Sequence, residues 1–141
     1  MVETEYIHLA PDQKLPDAPV RPFKAVVIIE EPSKAEWQKL VSEWLVASGC
    51  LFMLAWGHEC SSWDDSVDYA NLDAFDYGDI PDDKFVMTTW HDKEPLSEVL
   101  WFAAHGAAHS DVPLGLLTLV HIARNADESG IMKAFADAVS G

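Results

Sequence analysis

Three neighbouring residues carry the types and spacing of a reactive centre. His58, Glu59 and Cys60 stand together in "WGHEC", and His91 closes the later segment "TTWH". A histidine beside a cysteine lowers the thiol pKa and generates a thiolate, the nucleophile of many hydrolases and transferases. Cys60 with His58 and His91 is therefore a candidate catalytic set. Glu59, Asp64 and Asp65 crowd the same turn, and their negative charge works against a thiolate.

The same side chains are candidate metal ligands. His58, Cys60 and His91 with Asp64 or Glu30 make a zinc-type donor set. His105 and His109 stand at i,i+4, the spacing that places two zinc ligands on one helical face. Neither set has a further ligand at a diagnostic spacing. The segment "DAFDYGDIPDD" offers oxygen ligands and a glycine without the alternation of an EF-hand loop. No Gly-rich loop follows a strand, and "EEPS" puts two anions where a bound phosphate would sit. No cofactor is strongly implied, and the identity of any metal is left open.

A second kind of chemistry lies in residues 57–83. They hold Glu59, Asp64, Asp65, Asp68, Asp73, Asp76, Asp79, Asp82 and Asp83 with no lysine or arginine, interleaved with Trp63, Tyr69, Phe75 and Tyr77. Rings supply anchors and charge steers encounter, so the combination suits a basic protein partner. Candidate binding residues are Trp56, Glu59, Trp63, Asp64, Asp65, Asp68, Tyr69 and Trp90. The whole chain carries 24 acidic and 9 basic residues, a net charge of −15. That balance disfavours contact with nucleic-acid phosphates or an anionic membrane surface.

These residues need a scaffold, and hydrophobic patterning gives one. At 141 residues the chain fits a single domain. "KAVVIIEE" (24–31) and "CLFMLAW" (50–56) are apolar runs of strands buried on both faces. Between them Trp37, Leu40, Val41, Trp44 and Leu45 recur at helical spacing, with Ser33 and Glu36 as a capping box and Gly49 as the C-terminal cap. A short helix is expected over 64–75, capped by Ser62, then a strand over 84–91. A helix over 92–109 has Asp92 at its cap and Pro95 in its first turn. A strand over 116–123 and a last helix capped by Asn125 follow. Residues 1–22, with four prolines, read as an extended arm that packs over the domain or hangs free, and 23–141 as one α/β domain.

The expected fold is a three-layer α/β sandwich with a short, mostly parallel four-stranded sheet and flanking helices. In such sheets ligands sit beyond the strands' carboxyl ends, here Glu30, Glu31, the "WGHEC" turn, "TTWH" and His121. The expected function is a small acidic binding or regulatory module, one form being an inhibitor or immunity-type protein that neutralises a basic partner. The alternatives are a hydrolase or transferase using Cys60, and a scaffold that forms homo-oligomers through exposed aromatics. With two cysteines, no apolar segment of membrane-spanning length and no signal-peptide pattern, the cytoplasm is the expected compartment.

Overall fold

A computed structural model describes residues 2–140. The elements run β1 (Glu3–Leu9), β2 (Phe23–Ile29), α1 (Ala35–Ser48), β3 (Cys50–Gly57), α2 (Cys60–Asp73), β4 (Met87–His91), α3 (Leu96–His105), β5 (Leu116–Ile122) and α4 (Glu128–Ser140). All strand pairs are parallel, in the order β1-β5-β2-β3-β4. The α/β sandwich with a parallel sheet is thus present, with five strands rather than four.

The extra strand comes from the segment read as an arm. Glu3–Leu9 pairs along its length with Leu116–Ile122. Being an edge strand, it is mostly half-buried, and it therefore lacks the continuous apolar run that marks β2 and β5. The rest of the segment packs on α1. The indole N–H groups of Trp37 and Trp44 donate to the carbonyls of Gln13 (2.9 Å) and Pro16 (2.8 Å).

Alternation along the central strand builds two cores. Ala25, Val27 and Ile29 meet Trp37, Val41 and Leu45 of α1 and Trp63 and Val67 of α2 on one face. Val26 and Ile28 meet Val99, Leu100 and Ala103 of α3 and Ile131 and Phe135 of α4 on the other. From β2 the chain runs outward through β3 to β4, then returns past them to β5. The strand order therefore reverses between β2 and β5, the place where such sheets open a crevice.

Several helix ends differ from expectation. α1 starts after Lys34, with no side-chain cap from Ser33, although Gly49 does close it in a left-handed conformation. α2 begins at Cys60, earlier than Ser62 would allow. α3 spans Leu96–His105 with Pro95 at its cap position, so Asp92 lies outside it. Asp127, not Asn125, caps α4, its carboxylate accepting from the Gly130 N–H at 3.1 Å. Proline at 95 fixes φ and lacks an N–H, which suits a helix start and displaces the more distant aspartate.

The start of β4 is later than the apolar pattern suggested, because Asp82–Lys84 forms a single 3-10 turn. Asn71 of α2 sets this boundary. Its buried amide accepts from Val86 N–H (2.9 Å) and donates to the Lys84 carbonyl (3.2 Å).

Candidate functional site

The parallel sheet does gather the strand carboxyl ends on one rim, but the rim residues divide between its faces. After β3 the chain turns at Gly57 (φ 108°) and Glu59 (φ 50°). Any side chain at Gly57 would collide with the Ile29 carbonyl, so glycine is needed there. That carbonyl instead accepts the His58 N–H at 2.9 Å. The tight turn delivers Cys60 into the core under α1 and α2, where it is 2% exposed. His91 lies on the opposite face. Its ring packs 6.4 Å from Phe102 of α3 and bonds to Thr89 (2.9 Å) and Glu94 (3.3 Å). His58 points outward beside Glu59, at 3.6 Å.

His58, Cys60 and His91 are therefore not one catalytic set, and the zinc-type set built on them is not assembled. A thiol sealed among Trp37, Trp63 and Val67 has no route to a substrate. The His105–His109 pair also dissolves, because α3 ends at His105. His105 Nε2 bonds to the Val139 carbonyl (3.3 Å), and His109 Nε2 to that of Phe85 (2.8 Å).

The structure assembles a different group at the strand-order reversal. The Tyr6 hydroxyl accepts the Asp127 N–H (2.9 Å) and lies 2.7 Å from His121 Nδ1. With its acceptor position used, Tyr6 donates its proton to Nδ1, which leaves the Nε2–H of His121 for the Glu30 carboxylate. His8 adds a bond from Nε2 to the Ala123 carbonyl (2.7 Å). This network ties β1, β5, the end of β2 and the start of α4 together. Its buried polar atoms are all satisfied and His121 is buried, so the arrangement acts as a structural clamp. Glu30 and His121 were legible as strand ends. Tyr6 was missed because its strand lay in the segment read as an arm.

The acidic segment divides into core and surface. Trp63, expected at the surface, is 2% exposed and stacks edge-on against Trp37 at 6.5 Å. Helical periodicity accounts for this, since Cys60, Trp63, Val67 and Ala70 share one stripe. Trp56 is half-buried and its indole donates to the Glu94 carbonyl at 2.9 Å. What remains outside is Glu59, Asp65, Tyr69, Asp73, Asp76, Tyr77, Asp79, Asp82 and Asp83. Tyr69 is 63% exposed and Tyr77 62%.

Between α1 and α2 lies a groove of about 320 Å³. Tyr69 and Tyr77 line it with the carboxylates of Glu43, Asp65 and Asp73, and Lys39 is the cation in its wall. On the flank of α2 facing β4, the Thr88 hydroxyl lies 2.7 Å from Asp68 and 3.2 Å from Asp64. Burial, reinforced by the charge of Asp68, pushes the Asp64 carboxyl up to about 6, while the Thr88 bond acts in the other direction. Carboxylate oxygens of Asp64, Asp65 and Asp68 lie within 4.8 Å of one another. An oxygen-only set of this kind suits a hard cation rather than zinc. Among the described residues no comparable cluster forms in the 73–83 segment.

No helix among the described residues is long and apolar enough to cross a membrane. No curated protein and no solved structure matches this chain. The chain belongs to the family described as "Domain of unknown function (DUF7684)", whose model matches residues 4–138.

Proposed function

We propose that this domain is an acidic recognition module that docks a lysine- or arginine-rich protein surface on α2 and the turn after it. The groove between α1 and α2 carries the proposal. It presents two exposed tyrosine rings among three carboxylates, and its α2 wall belongs to a stretch, 57–83, with no lysine or arginine. A tyrosine ring offers a large contact surface at little cost in side-chain entropy, and its face attracts ammonium and guanidinium groups. The surrounding carboxylates accelerate encounter with a cationic surface. An inhibitor that neutralises a basic partner is the concrete form of this reading. Its setting is the cytoplasm, a reducing compartment that suits two buried free thiols.

A hydrolase or transferase built on Cys60 lacks support, because the groups it needs lie on opposite faces of the sheet. The test of the docking reading is a comparison of two charge reversals against an oligolysine probe. Asp65→Lys with Asp73→Lys should weaken binding by about tenfold, and Glu128→Lys with Asp137→Lys on α4 by about twofold, the latter from lost long-range charge alone. Equal losses for the two pairs would overturn the reading.

A further inference from the structure

The two outer strands of the sheet are guarded unequally. On β1, Glu3 and Glu5 pair with Arg21 at 3.9 and 3.3 Å, and α4 packs against the strand. Among the described residues β4 pairs as a strand only with β3, so its other side presents backbone N–H and C=O groups without strand partners. Its sequence, Met-Thr-Thr-Trp-His, holds no lysine, glutamate or proline, and its register with β3 runs without a bulge. Those are among the devices by which edges normally refuse a further strand; the shortness of β4, five residues, is another, and it limits an added strand to about that length.

A cavity of about 440 Å³ lies beside the first half of the strand, with Ile80, Phe85 and Val86 of the preceding segment also in its wall. Phe52, Met87 and Thr89 line it from the α3 side of the sheet, and Asp68, Leu72 and Thr88 from the α2 side. Trp90, 47% exposed, stands two residues beyond Thr88 and so on the same, acidic side.

We propose that the flank of β4 accepts an extended segment of a basic protein partner as a sixth strand. This rests on the docking reading above and specifies how the partner is held. Main-chain bonds to β4 supply affinity, and alternate side chains supply selection. Those on the α2 side are lysine or arginine, reaching Asp68 and Asp64 with the Trp90 ring beside them. Those on the α3 side are apolar and meet Phe52 and Met87. The preferred segment thus alternates basic and apolar residues. A second copy of this chain is a poor occupant, because pairing β4 with β4 would bring two Asp64–Asp65–Asp68 clusters together in a protein of net charge −15.

The experiment uses the full chain and a peptide of alternating lysine and valine, beside the same peptide N-methylated along its backbone. N-methylation keeps side chains and charge and removes the donors a ladder needs. At low salt the parent peptide should bind and slow amide exchange at residues 87–91, and N-methylation should weaken binding by at least about tenfold. Equal binding of both peptides, or no binding of the parent, overturns the added strand. Exchange at 87–91 that slows with protein concentration alone overturns it in favour of self-pairing. Repeating the titration with Asp65→Lys and Asp73→Lys separates the two ideas. Loss there together with indifference to N-methylation leaves the acidic groove standing without the strand. Indifference to the reversal removes the groove itself.

Discussion

At the β1 side of the sheet, three strands and a helix start converge on one buried imidazole, and both of its ring nitrogens have partners. At the β4 side, carboxylates crowd together, burial pushes that of Asp64 up to about 6, and a strand flank is left open beside an exposed indole. Both regions are rich in polar groups that can do chemistry. The first is closed on itself, so its groups stabilise the fold. The second is unsaturated, and unsaturated charge next to exposed rings is what a partner can use. Density of polar residues therefore says less about function than whether those residues have already satisfied one another.

The contrast can be broken most severely at His121. Replacing it with leucine leaves the Tyr6 proton and the Glu30 carboxylate without their partner and should cost about 2–3 kcal/mol in urea unfolding. Glu30 is half-exposed and water can replace its contact, so Glu30→Gln should cost less than about 1 kcal/mol. Equal and small costs would mean that the network is not a clamp.

The β4 side should respond with the opposite sign. The folded-state pKa of Asp64 lies above its ordinary value, so the folded protein holds that proton more tightly than the unfolded chain. Stability from this group is then lost as pH rises from about 4 to about 6. Asp64→Asn removes the charge and keeps an acceptor for Thr88. It should raise stability by about 1 kcal/mol at pH 7, after allowance for solvent screening, and by nothing at pH 4. A gain that persists at pH 4 would show that the carboxylate charge is not its source.

How much of this could be read beforehand follows the same division. Apolar runs marked β2, β3 and β5 because strands buried on both faces need them. The strand β1 escaped because Glu3–Leu9 is half-exposed and sits next to a proline-bearing stretch that does form a loop. The rim of strand ends was legible. Its partition was not, since one turn at Gly57–Glu59 decides whether Cys60 faces inward, and that turn depends on two left-handed residues, only one of them glycine. Trp63 and Tyr69 looked alike in an acidic stretch, and only the helical register beginning at Cys60 sends the first into the core and the second into water.

The central claim is that the α2 side, and not acidity in general, recognises a cationic partner. Amide shift mapping during titration with oligolysine tests it most directly. Perturbations should concentrate in residues 60–91 and along the α1 wall of the groove, sparing α4 and β1 although both carry carboxylates. Shifts spread evenly over every acidic patch would contradict the claim.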